Sequence, residues 1–366
     1  MNQTGIRFLL PKKILAAVAV IILLLNVWGC AQTTVESTAL PTPYSYQSVY
    51  TATPTITLTP TVTPTIEPTA TPNRVITLTP TPEPYRDLYI TSLMARKYGG
   101  GVLEDAGNLN SAEGFTRKLF RYRSEGLDLY GFINIPAGEG PFPVIVMVHG
   151  YIDPAEFSTL DYSVRYADAL AKAGYIAIHP NLRGYGPSDS GENVLGAGDA
   201  IDVLNLVALV RQQAGSEGLL KTADAERIGL WGHSMGGAVV MRALIVDTDV
   251  RAGLLYASIN ADEAINLAHF EKDGRGNEKT EAEPETLKRL SPIDYLDQIT
   301  VPVGIFHGGK DDVVPASWSR DLCLLLEELD KIVVCREYLD QSHTFQDDGD
   351  AQFFREMIAF FNAHVR

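Results

Sequence analysis

From Pro143 onward the chain switches repeatedly between two hydrophobic patterns. Short apolar runs bounded by Pro and Gly are followed by longer stretches with apolar residues at helical spacing. "PVIVMVHG", "YIAIHP", "RIGLWGHS", "AGLLYASI", "VPVGIFHG" and "IVVCREYL" read as strands buried on both faces. "TLDYSVRYADALAKAG", "AGDAIDVLNLVALVRQQ", "GGAVVMRALIVD", "SWSRDLCLLLEEL" and "AQFFREMIAFFNAHV" read as the helices between and after them. Such alternation predicts an α/β fold, a mostly parallel central sheet with helices on both faces and right-handed crossovers. Ahead of it, "FTRKLFRYRS" and "LDLYGFINIP" alternate apolar and polar residues around Glu125-Gly126, as an antiparallel hairpin does. "YRDLYITSLMARKY" predicts a short amphipathic helix stopped by "GGG". The pattern breaks near residues 259–290, where "EKDGRGNEKTEAEPE" is charged and poor in apolar residues. That stretch is expected to be an exposed insertion, a small lid between strands.

The first 84 residues follow different rules. Arg7, Lys12 and Lys13 precede "ILAAVAVIILLLNVWGC", a basic segment followed by an apolar run of signal-peptide length. The uninterrupted run Ile14–Leu25 is shorter than the roughly 18–20 residues of a membrane span. Its end, "VWGC", resembles a bacterial lipobox, which makes Cys30 the expected lipidation site, although Trp28 is an unusual neighbour there. An uncleaved anchor and an ordinary secretory signal are the alternatives. Each places the rest of the chain outside the cytoplasm, either membrane-anchored or secreted. From Pro41 to Pro84 Thr and Pro dominate, and proline's fixed φ and missing donor exclude helix and sheet interior. An extended stalk is expected at about 3.1 Å per residue, of a composition that suits O-glycosylation. The expected organisation is therefore a signal and lipobox over 1–30, a disordered stalk over 31–84 and one α/β domain over 85–366.

Composition narrows the chemistry. The 366 residues are 45% hydrophobic and 20% charged, ordinary for a globular protein, with a formal net charge of −15. That balance argues against a nucleic-acid partner and against electrostatic docking on anionic lipid. Cys30, Cys323 and Cys335 form no zinc-like spacing, and no HExxH or Walker loop is present, so no metal or cofactor is expected. Outside the cell Cys323 and Cys335 could pair; as two buried small hydrophobes they would not.

One motif carries chemistry. "GHSMG", Gly232 to Gly236, matches G-x-S-x-G and lies between a strand and a helix. A serine placed there is a nucleophile if a base and an orienting acid follow in the order Ser, Asp or Glu, His. His343 in "LDQSHTF" falls between the last strand and last helix, at the sheet edge that also carries Ser234. His364 falls in the final helical turn and reads as solvated. Asp311 and Asp312 both follow a strand, and pattern alone leaves both open as the acid. The N–H of Met235, directly after the serine, is one expected oxyanion donor.

"YGFINIP", "PFPVIVMVHG", "NLRGYGPSD", "RIGLWGHSMGG", "SPIDYLDQITVPVGIFHGGKDDVVP" and "DQSHTF" occur in the order found in the catalytic domain of prolyl oligopeptidase-like and dienelactone hydrolase-like α/β-hydrolases. The chain from about Tyr85 resembles that group. The resemblance implies an α/β-hydrolase fold and a serine hydrolase with Asp311 as the acid. Asp312 is then a turn residue bonded to backbone, and Tyr151 supplies the second oxyanion N–H. It also implies that His149, His233 and His307 are structural, and that Arg183 braces the site loops, with Asp189 as a possible partner. His179 is expected to hold a loop. Full oligopeptidases of this kind carry a propeller, and no blade repeats are visible here. The expected activity is therefore carboxylic ester hydrolysis by an acyl-enzyme route, on small-molecule, polysaccharide or peptide acyl substrates. A serine peptidase is the alternative, and a non-catalytic surface binding module is the reading from another class.

Overall fold

The computed structural model describes Glu83, residues 85–272 and residues 282–366. The chain divides into two units, Met1–Thr77 and Leu78–Arg366. The signal segment, Cys30 and nearly all of the stalk lie outside the described residues.

A nine-stranded sheet dominates the second unit. In chain order its elements are α1 (Ile90–Ala95), β1 (Glu104–Asn108), β2 (Phe115–Ser124), β3 (Leu127–Pro136), β4 (Phe142–Val148), α2 (Val164–Lys172), β5 (Ile176–Pro180) and α3 (Ala197–Gln213). Then come β6 (Ala223–His233), α4 (Met235–Val246), β7 (Ala252–Tyr256), α5 (Glu263–Lys272), α6 (Pro284–Leu290), β8 (Val303–Gly308), α7 (Ala316–Glu328), β9 (Val333–Tyr338) and α8 (Asp347–His364). The spatial order is β1-β2-β3-β5-β4-β6-β7-β8-β9. β1, β2, β3 and β5 pair antiparallel, and every pair from β5–β4 to β8–β9 is parallel.

The period of two along a strand sends alternate side chains to opposite faces, and the core divides accordingly. Val144, Val146 and Val148 of β4 pack with α3 and α4, while Ile145 and Met147 pack with α2 and α8. This two-sided burial is why the central strands are continuously apolar. The β2–β3 hairpin turns where expected, with Glu125 at φ 51° and Gly126 at φ 88°. Positive φ at both central residues matches the right-handed twist of the flanking strands.

Two departures have physical causes. β1, "EDAGN", carries no apolar signal and is mostly exposed. It forms as an edge strand on β2, where Arg121 meets Glu104 at 2.5 Å and Lys118 meets Asp105 at 2.9 Å. The 259–290 segment is not simply an exposed insertion. Its described parts form α5 and α6, and Glu263, Asn266 and Leu290 are buried. Only its most polar stretch, 273–281, lies outside the described residues. Cys323 and Cys335 are joined as a disulfide, tying α7 to β9.

Candidate active site

β6 ends at His233 and α4 begins at Met235, so Ser234 alone makes the turn, at φ 54° and ψ −120°. Such a backbone costs about 1–3 kcal/mol and persists only where the surroundings impose it. Here the glycines impose it. A Cβ on Gly232 would sit 2.3 Å from the Gly236 oxygen, and one on Gly236 would sit 2.3 Å from the Val148 oxygen. The turn can close only with hydrogen at both positions. The Ser234 N–H donates to the Tyr256 oxygen at 2.9 Å, which ties the turn to β7.

The loop after β4 approaches the same point. A Cβ on Gly150 would lie 3.0 Å from the Ser234 Cβ. Tyr151 follows, its side chain 57% exposed on the rim. Among the described residues, neither the Tyr151 N–H nor the Met235 N–H has a hydrogen-bond partner. Met235 is the first residue of α4, where backbone donors and the helix dipole favour negative charge.

Asp311 and His343 come together as expected. The His343 Nδ1 lies 2.8 Å from Asp311 Oδ2. Asp311 Oδ1 accepts the N–H groups of Val313 at 2.9 Å and Val314 at 2.8 Å. The backbone-bonding role expected of Asp312 therefore belongs to Asp311, and Asp312 is exposed. Burial alone would raise the Asp311 carboxyl, but hydrogen bonds from His307 and His343 outweigh it and hold the acid well below its ordinary range. Ser234 and His343 open into one cavity of about 490 Å³, together with Tyr151 and Met235. Among the described residues no hydrogen bond yet joins the Ser234 hydroxyl to His343, a gap common in sites without substrate.

The histidines read as structural do more than fill space. His307 Nε2 lies 2.9 Å from Asp311 Oδ2 and 3.1 Å from the Val314 oxygen, and its Nδ1 lies 2.6 Å from Ser319 Oγ. Two acceptors fix the proton on Nε2, so His307 donates to the same oxygen that faces His343. His233 spans two loops. Gly150 N–H donates to Tyr162 Oη at 2.9 Å, Tyr162 Oη lies 2.6 Å from His233 Nδ1, and His233 Nε2 lies 3.0 Å from the His343 carbonyl oxygen. With Tyr162 donating to Nδ1, every proton in this chain is placed. Burial, and then the neighbouring His343, push His233 down to about 3, so it stays neutral. His149 and His179 are fully buried behind the site, pushed by burial to about 4 and about 3. His179 Nε2 meets Ser163 Oγ at 2.7 Å, consistent with holding a loop.

Arg183 braces the region, but not through Asp189. It grips Asp202 of α3 with two bonds of 2.7 Å, reaches Glu125 in the hairpin turn at 3.1 Å, and binds the Glu192 oxygen. Asp189 instead accepts the Asp128 N–H at 2.8 Å. A planar fork matches a carboxylate on a buried helix better than one on a solvated loop. Sequence reasoning also missed Leu195, Arg242, Glu263 and Asn266, which line the cavity. A signal existed for Arg242: it is the one charge within "GGAVVMRALIV", and positions 235, 238, 239 and 242 share one helix face.

The sheet order, its helices on both faces and the serine on a strand–helix turn define an α/β-hydrolase. Residues 161–366, more than half of the chain, match the prolyl oligopeptidase family, and the chain belongs to it. Among curated relatives, it is 36% identical over 129 residues to epoxide hydrolase A of Mycobacterium tuberculosis, covering 35% of each protein. It is 28% identical over 237 residues to esterase YjfP of Escherichia coli, covering 60% of this chain and 90% of that one. The solved acylaminoacyl peptidase of Pyrococcus horikoshii matches with a TM-score of 0.56 at 25% identity, over 70% of this chain and 42% of that one. The chain thus spans about a third of the epoxide hydrolase and under half of the peptidase.

Proposed function

We propose that the chain is a serine hydrolase that cleaves carboxylic esters through an acyl-enzyme. Ser234 attacks the carbonyl carbon as His343 takes its proton. The N–H groups of Met235 and Tyr151 hold the oxyanion, and Asp311 keeps the His343 Nδ1 protonated so that Nε2 faces the serine. The imidazolium then protonates the departing alcohol. Water, deprotonated by His343, attacks the acyl carbon and frees Ser234. The carrying observation is the 2.8 Å contact of His343 with Asp311 beside a serine held in a strained turn on the same cavity. Fluorophosphonate labelling tests it: folded protein labels and Ser234→Ala does not. Equal labelling of both would sink the assignment.

The match along 90% of esterase YjfP supports an ester substrate, acyl or acetyl groups on polysaccharide included. Membership of the prolyl oligopeptidase family supports a second reading, cleavage of aminoacyl or peptide bonds by the same residues. Comparing short acyl p-nitrophenyl esters with aminoacyl anilides separates them, and faster anilide turnover would favour the peptidase. We place the site outside the cytoplasm, tethered through a lipidated Cys30 and the Thr/Pro stalk. The Cys323–Cys335 disulfide supports an oxidising compartment. Mass spectrometry of membrane-expressed protein should find a lipidated N-terminus at Cys30; an unmodified N-terminus upstream of it would refute the tether.

A further inference from the structure

The cavity beside Ser234 is apolar along its walls and polar at one end. Leu195, Val239, Ile259, Leu267 and Phe270 supply the walls, and Arg242, Glu263 and Asn266 the polar end. Arg242 and Glu263 form an ion pair through Nη2 and Oε1, both side chains almost fully buried. The remaining polar atoms there are nearly all satisfied. Asn266 Nδ2 donates to Glu263 Oε2 at 3.1 Å and to the Asn260 oxygen at 2.9 Å, and Asn266 Oδ1 accepts the Asn260 N–H. One group is left over. Arg242 Nη1 is buried and has no hydrogen-bond partner.

The position of that orphan donor is defined by its neighbours. A Cβ on Gly196 would sit 3.7 Å from Nη1 and 3.6 Å from Val239 Cγ2, and Gly196 and Val239 both border the cavity. Ser234 and Arg242 lie eight residues apart along one face of α4, about 12 Å along the axis. The arginine side chain leans back toward the helix N-terminus by about one turn, about 5 Å. Ala238, small, lies between them and also lines the cavity. The free path from the serine to the guanidinium is thus about 6–7 Å, the length of about five bonds.

The charge decides what fits. The pair is already neutral, and an acyl group ending in a carboxylate would bring its charge against Glu263. An ammonium would meet Arg242. A neutral oxygen acceptor needs no counter-ion and satisfies Nη1. Building on the ester-hydrolase reading, we propose that the acyl pocket selects acyl groups that are mainly apolar and carry a neutral oxygen acceptor about five bonds from the scissile carbonyl. Arg242 is the specificity-determining residue.

The test compares p-nitrophenyl 5-oxohexanoate, p-nitrophenyl hexanoate and the p-nitrophenyl monoester of glutaric acid on the full chain. Leaving a buried donor unsatisfied costs about 1–3 kcal/mol, so kcat/KM should favour the ketone over hexanoate about tenfold or more. The glutarate ester should be the slowest. In Arg242→Met combined with Glu263→Gln, which removes both charges together, the ketone-to-hexanoate ratio should fall to about one, whatever the absolute rate. Should that variant not fold, Arg242→Lys, which keeps the charge but loses the fork, must lower the ratio at least threefold. A ratio near one in the native chain, as expected if only water meets Nη1, would overturn the proposal, as would a ratio unchanged by the substitutions. If no ester is turned over and fluorophosphonate does not label Ser234, the hydrolase reading itself has failed, and this one with it.

Discussion

Asp311→Asn tests the proton arrangement of the site most directly. The carboxylate receives four N–H groups: Val313 and Val314 on Oδ1, His343 and His307 on Oδ2. An amide can satisfy only one of these pairs. If its oxygen faced the imidazoles, its NH₂ would oppose two buried backbone donors. At about 1–3 kcal/mol for each unsatisfied group, that orientation loses. With the oxygen toward Val313 and Val314, the NH₂ faces His307 and His343 instead. His307 keeps a partner, because its Nε2 also reaches the Val314 oxygen at 3.1 Å. His343 has no such alternative among its described contacts and must turn its Nδ1 into an acceptor. The proton then sits on Nε2, where a base must accept the serine proton. By analogy with Ser-His-Asp sites, kcat should fall on the order of 10⁴-fold, about 5 kcal/mol of barrier, with KM changed little. Initial rates on p-nitrophenyl acetate, with urea unfolding as a check on the fold, read this out. A folded variant that loses less than tenfold in kcat would refute the tautomer argument.

His233→Ala removes the tie from Tyr162 to the His343 carbonyl; kcat should drop about 10–100-fold, with Ser234 still labelled by fluorophosphonate, and an unchanged kcat would show the tie to be idle. Acidification should destabilise the fold through His149, His179 and His233. Their folded pKa values of about 3 to 4 lie below the unfolded value, so the unfolded chain binds more protons below about pH 6.5. From pH 7.5 to 5.5 the three should cost about 4 kcal/mol, seen as a falling urea midpoint, and a flat midpoint would contradict their neutrality. Reducing Cys323–Cys335, which closes a loop of separation 12, should remove about 3 kcal/mol and lower Tm by several degrees; no shift with dithiothreitol would show the bond to be dispensable. Arg183→Met leaves Asp202 buried without its fork and should cost about 3–5 kcal/mol in urea unfolding; a loss below 1 kcal/mol would rule out a bracing role.

Local chemistry wrote much of this protein directly into its sequence. The run "VIVMV" could only be a strand buried on both faces, and "GHSMG" between a strand and a helix could only be a tight turn. Both follow from periods and sterics a few residues long. The order Ser234, Asp311, His343 and the hairpin at Glu125-Gly126 were legible for the same reason. Pattern could not decide between Asp311 and Asp312, since two adjacent carboxylates look alike until the chain shows which one meets His343. β1 was invisible because an exposed edge strand has no apolar period and exists only through its pairing with β2. The partner of Arg183, the bonds of His233 and His307, and the buried pair of Arg242 with Glu263 all join residues distant in sequence or separated by a turn. They depend on which elements β4, β6 and β8 bring to one edge of the sheet. Hydrophobic periodicity fixes where strands and helices form. Hydrogen bonds between buried polar groups depend on angstrom-scale placement, and only the tertiary structure supplies that.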